Sequence, residues 1–132
     1  MLRDDGALLD MLGAARLVVD FRGSADKGGF LADPKTRSAV LHQLLILGEA
    51  AKRVSPAFRA RHPEIPWKAM AGMRDRLIHG YDTVDLEEVW KAATVRVPQL
   101  IVLLEPLAPA EPPDAAENAG VGLKPPGKGK SS

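Results

Sequence analysis

The run PKTRSAVLHQLLILGEAAKR, residues 34–53, repeats apolar side chains every three or four positions, a rhythm that suits a helix and not a strand. Val40, Leu41, Leu44, Leu45, Leu47, Gly48 and Ala51 fall on one stripe. Asp33 stands where a side chain caps the first turn, and Pro34 fits the first helical position. Gly48 inside that stripe costs about 1 kcal/mol relative to alanine, so it points to a close helix–helix approach. A first helix over about 4–22 carries Leu8, Leu9, Leu12, Ala15, Leu17, Val18 and Val19, and GSADKGG breaks it. SPAFRARHPEIPW gives a short helical piece and a proline-punctuated connection. A third long helix starts near Pro66 or Trp67 and runs to about His79, with Gly80 following its end. The fourth opens with Asp85 and Glu88 in a capping-box spacing and buries Leu86, Val89, Trp90, Ala93, Val97, Leu100, Ile101 and Leu104. Pro98 lies inside it and should kink or split it. With no alternating pattern and no repeat, the expected fold class is all-α: an antiparallel bundle of about four long helices.

At 132 residues the chain is expected to form one domain, over residues 1–104. The segment from Glu105 to Ser132 holds six of the eleven prolines and four glycines, with few large apolar groups. It cannot bury enough surface to offset its ordering entropy, so a disordered tail is expected over 105–132. Its basic end, KPPGKGKSS, reads as a solubilising segment, with contact to an acidic partner as the other option. The net charge is +1, so any RNA contact must come from a local cluster. The chain has no cysteine, which excludes disulfides, thiolate metal sites and a cysteine nucleophile, and suits a reducing cytoplasm. The opening MLRDDGALLDML reads as neither signal peptide nor membrane span.

The stretch GMRDRLIHGY, residues 72–81, resists a purely structural reading. At about 100° per residue, Trp67, Met70, Ala71, Arg74, Ile78 and Tyr81 fall within roughly 100° of one another, with Arg74 near the middle. An arginine in an apolar seam is costly unless its charge is paired or faces a polar cleft. It either reaches a carboxylate such as Glu49 or Asp75 or pairs across a subunit boundary. Glu49 lies at the edge of its own stripe, as a salt-bridge partner or as a solvent-facing acid. His79 is rotated about 140° from Arg74, so the two meet only if the helix ends at Gly80, the arginine bends back, or a second subunit completes the site. A guanidinium binds a phosphoryl group bidentately, and an imidazole moves protons near neutral pH. Together they suit metal-free RNA cleavage by the ribose 2′-hydroxyl.

Arg74-Asp75-Arg76-Leu77-Ile78-His79-Gly80-Tyr81 resembles the R-x4-H-x-Y signature of HEPN-domain ribonucleases. Within its frame, IPW…GMRDRLIHGY…VDLEEVW, the chain resembles the HepT-like toxins of HEPN/MNT (type VII) toxin–antitoxin pairs, from about Phe30 to Trp90. The resemblance implies an all-helical homodimer whose two subunits line one cleft, with RNA as substrate and no cofactor. It implies Arg74 and His79 as the catalytic pair, with Asp75 orienting them. It also implies that a cognate MNT-type nucleotidyltransferase antitoxin places AMP on Tyr81, adding charge and bulk where RNA phosphate should bind. The other reading is a non-catalytic HEPN subunit that dimerises and binds a nucleotidyltransferase or nucleotide.

Elsewhere the signals are weaker. His42 reads as solvent-facing, His62 as part of a helix-to-loop turn, and neither has metal-ligand spacing with acids. Asp4, Asp5 and Asp10 read as ordinary acids of the first helix. GSADKGGFLAD opens like a nucleotidyltransferase site but lacks paired aspartates on a strand, so this chain is expected to be the partner of such an enzyme.

Overall fold

The computed structural model describes the backbone of residues 2–110 and the side chains of 4–80 and 82–110. Every regular element among the described residues is helical: α1 (Leu2–Arg22), α2 (Lys27–Ala32), α3 (Pro34–Arg53), α4 (Pro56–Arg61), α5 (Trp67–His79), a 3-10 turn (Tyr81–Thr83), α6 (Leu86–Lys91), a π-helical segment (Ala92–Arg96) and α7 (Val97–Leu104). The expected all-α bundle is what forms. No helix among the described residues is long and apolar enough to cross a membrane. Residues 105–110 continue from α7, and Leu107 and Ala108 pack on the core. The rest of the expected tail lies outside the described residues.

α1 lies against α3 along most of its length and meets α7 on another side, while α5 packs on α3. Asp10 pairs with Arg53 and Asp4 with Ser55, so the start of α1 meets the end of α3 and the two run antiparallel. Leu8, Met11, Val18, Phe30, Val40, Val54, Ile65, Val89 and Leu104 are sealed from solvent between them. Fully burying an aliphatic or phenyl side chain contributes about 1.5–3 kcal/mol, which is what holds the bundle.

Asp4 departs from expectation. It is buried, and its carboxylate accepts hydrogen bonds from the Ser55 N–H and Oγ, both at 2.8 Å. Ser55 in turn caps α4, so this acid ties the start of α1 to a turn 51 residues away. The short helix α2 is also unforeseen. Gly28 and Gly29 hide it, but Asp26 caps it by accepting the Gly29 N–H, and it buries Phe30 against Trp90 with ring centroids 5.3 Å apart.

Pro98 does interrupt the last helix, through a widened turn. Proline has no N–H and its ring crowds the carbonyl four residues back. Immediately before it, the Val97 N–H donates to Ala92 O, five residues back, which makes the π-helical segment. Asp85 caps α6 through the Glu87 N–H. The reciprocal half of a capping box does not appear among the described residues, because Glu88 faces Arg76 and Arg96 at 3.8 and 3.9 Å.

Gly48 is the close approach that its place in the stripe suggests. A Cβ there would lie 2.4 Å from Arg74 Cβ and 2.8 Å from Met70 O, contacts that require α3 and α5 to separate. Gly48→Ala is therefore expected to destabilise the protein by about 1–3 kcal/mol, read as a lower urea midpoint. An unchanged midpoint would show that the two helices slide apart without cost.

Candidate active site

α5 carries the motif residues, and its packing decides where each one points. Its buried side consists of Met70, Met73 and Leu77. Arg74 is half-buried at the edge of that side and Ile78 is 44% exposed, so the seam expected from the helical wheel is not closed by the chain itself. The missing side chain of Gly48 makes room for the Arg74 stem on α3.

Glu49, the residue after Gly48, takes the side edge of the guanidinium. Its Oε2 accepts from Arg74 Nε at 2.7 Å and lies 2.7 Å from Nη2. Asp75 Oδ1 accepts from Nη1 at 2.9 Å and also lies 3.3 Å from Lys52 Nζ. Of the two partners that the sequence leaves open for Arg74, both bind it. N–H groups on both Nη1 and Nη2 remain for a further acceptor, as a bidentate contact with a phosphoryl group needs. Hydrogen bonds to Asp75 and then to Glu49 hold Arg74 protonated above its ordinary range. The Arg74 guanidinium, followed by the Lys52 ammonium, holds the Asp75 carboxyl below its ordinary value. Lys52 goes unnoticed in the sequence, although its place one turn after Glu49 on α3 puts it on the same face.

His79 ends α5 and is exposed. The Gly80 N–H closes the helix on Arg76 O at 2.9 Å, but with an extended φ of −155°. A Cβ there would sit 2.7 Å from Thr83 Oγ1, so a side chain would have to turn that hydroxyl off its bond to Gly80 O. His79 and Gly80 line an open hollow of about 530 Å³ together with Met73, Arg76, Thr83, Val84, Asp85 and Glu88. Arg74 does not line it. The chain thus joins Arg74 to Asp75, Glu49 and, through Asp75, Lys52, while His79 lines the hollow at the end of the same helix. Tyr81 opens the 3-10 turn beyond Gly80, and its side chain lies outside the described residues.

The other histidines stand where expected: His42 is exposed, and His62 closes α4 with Nδ1 3.3 Å from Glu64 Oε2. Among the described residues, no three His, Asp or Glu side chains group as metal ligands would.

The family model described as Ribonuclease HepT-like matches residues 11–107, a span that includes all of the motif positions. A protein of Thermococcus cleftensis named "Probable ribonuclease HepT" is 43% identical over 93 residues, covering 70% of this chain and 84% of its own. A Methanocaldococcus jannaschii protein named a "Putative RNase" is 37% identical over 98 residues, covering 74% and 81%. No solved structure matches the chain. The chain belongs to the HepT-like ribonuclease family of the HEPN superfamily.

Because the folded pKa of Asp75 lies below its ordinary value of 3.8, its pairing stabilises the fold above about pH 4 and is lost as the pH falls through the lower folded value. Asp75→Asn should therefore be less stable than wild type in urea at neutral pH, with the difference shrinking as the pH falls below the ordinary carboxylate range. A difference that stays constant with pH would contradict the ion-pair network.

Proposed function

We propose that this chain is the toxin of a HEPN/MNT (type VII) toxin–antitoxin pair, a homodimeric, metal-independent endoribonuclease acting in the cytoplasm. The observation that carries the reading is the Arg74 guanidinium, fixed on one edge by Glu49 and on Nη1 by Asp75, with N–H groups left over for a phosphate. Membership of a ribonuclease family supports the same chemistry.

In this reading His79 takes the proton of a ribose 2′-hydroxyl, and the 2′-oxygen attacks the adjacent phosphorus. The P–O5′ bond breaks, leaving a 2′,3′-cyclic phosphate, and the departing 5′-oxygen takes up a proton. Arg74 stabilises the charge that gathers on the phosphoryl oxygens. Its ion pairs hold it in place beforehand, so little reorganisation is needed during the reaction. A second copy brings its own α5 to the first and supplies His79 next to Arg74. The exposed Ile78, one turn after Arg74 on the same face, supports such a contact.

Silencing follows from the position of Tyr81. A nucleotidyltransferase moves AMP from ATP to the phenol oxygen and releases pyrophosphate, which puts a negative phosphodiester two residues from His79. One observation favours a competing reading, a non-catalytic subunit that only dimerises and binds its nucleotidyltransferase: Arg74 does not line the hollow that His79 lines.

Induction in cells followed by RNA end mapping separates the two. Arg74→Ala and His79→Ala should each lose cleavage by about 100-fold or more and become harmless while keeping wild-type circular dichroism. Cleavage by the wild type should persist in EDTA, and Tyr81→Phe should still cut RNA but escape silencing. If both alanine variants cut RNA as well as wild type, the chain is not a nuclease of this kind.

A further inference from the structure

The joint between α4 and α5 brings three rings and several cations together. Phe58 and His62 meet at a tilt of 36° with ring centroids 4.4 Å apart, and Trp67 meets Phe58 edge-on at 6.3 Å. Trp67 Nε1 donates to His62 O at 2.9 Å, which locks the start of α5 to the end of α4. The Arg61 guanidinium lies 5.6 Å from the Phe58 ring centre, and the His62 side chain is 24% exposed. Glu64 sits 3.3 Å from His62 Nδ1, at the edge of the imidazole rather than over its face.

Among the described residues, the arginines and lysines elsewhere divide: Arg22, Lys35, Arg37 and Lys91 have no carboxylate within ion-pair distance, and the others do. Arg16, Lys27, Lys52, Arg53, Arg74, Arg76 and Arg96 each have a carboxylate partner. Among the described residues, Arg59, Arg61 and Lys68 have none within ion-pair distance, and Arg59 Nε is buried without a hydrogen-bond partner. Arg61 and Lys68 are exposed. Unpaired cations beside partly exposed rings suit a strand of phosphates and unpaired bases.

The helix geometry links this cluster to the candidate active site. Trp67 and Arg74 are seven residues apart, so they fall within about 20° on α5 with about 10 Å of rise between them. That distance equals about three stacked nucleotides at roughly 3.4 Å each.

We propose that the α4–α5 joint is a binding site for single-stranded RNA, in which a base stacks on the exposed part of His62 while Arg61 and Lys68 hold the flanking phosphates. The proposal rests on the ribonuclease reading above and adds to it a place for the RNA on one side of the scissile linkage. Duplex RNA does not fit, because its bases are stacked on one another and offer no free face.

The test uses the full chain carrying His79→Ala, so that RNA survives, and a fluorescein-labelled ten-nucleotide oligouridylate followed by anisotropy over a range of KCl. Adding His62→Ala should weaken binding about five-fold or more, whereas His62→Phe, which keeps a stacking face, should bind like the parent. Adding Arg61→Gln should lower the affinity and reduce the slope of log affinity against log salt by about 0.7. The proposal is overturned if the parent does not bind the oligonucleotide. It is also overturned if His62→Ala and Arg61→Gln, with unchanged thermal melts, leave affinity and slope alone, or if they weaken binding of a nucleotidyltransferase partner and not of RNA. RNA cutting by the chain with native His79 is read separately. Cutting with normal binding by the joint variants removes this site and leaves the enzyme reading; binding through the joint without cutting does the reverse.

Discussion

Arg74 crosses α3 where Gly48 has removed the side chain that would block it, and Glu49, one residue further on, pairs with its Nε and Nη2. A half-buried guanidinium without a partner would be costly, and a β-carbon at position 48 would push α5 outward. Together the glycine and the acid set how closely the two helices pack, which in turn fixes where α5 ends. His79, Gly80 and the 3-10 turn at Tyr81–Thr83 all hang from that end. The same contact therefore both packs the bundle and orients the Arg74 guanidinium.

The electrostatics follow the same division. Lys52, Asp75, Arg74 and Glu49 form a chain of alternating charge in which each carboxylate is matched. Such networks depend on geometry, because each group is partly exposed and a single surface pair contributes little. What the chain does supply is order. It holds a long, flexible side chain in one orientation before any ligand arrives, which lowers the cost of using it.

The long helices were legible because apolar periodicity, Asp33 with Pro34, and Gly80 are local signals. Gly48 was legible too, as a glycine in the middle of an otherwise strong stripe. α2 was not, because its six residues include two glycines and its hold on the bundle comes from Phe30 meeting Trp90, sixty positions away. Asp4 looked like any acid in a first turn, since nothing near it in sequence hints at Ser55. The wheel placed Arg74 in the centre of a seam, whereas the buried side of α5 turns toward Met73 and Leu77 and leaves Ile78 exposed. A wheel ranks positions by their own side chains and cannot register that the neighbouring helix has a gap at one residue. The R-x4-H-x-Y spacing pointed to the family, and the matching relatives agree with it.

Arg74 does not line the hollow that His79 lines, and the proposed chemistry brings the two together through a second copy. The direct measurement is complementation between two inactive chains. Arg74→Ala and His79→Ala proteins are mixed, unfolded and refolded together, and assayed on RNA beside each variant alone. If Arg74 of one subunit works with His79 of the other, mixed dimers contain one intact pair and cutting returns to a substantial fraction of wild type. Mixed dimers that form, as seen by native mass, yet stay as inactive as their parents would contradict the shared site.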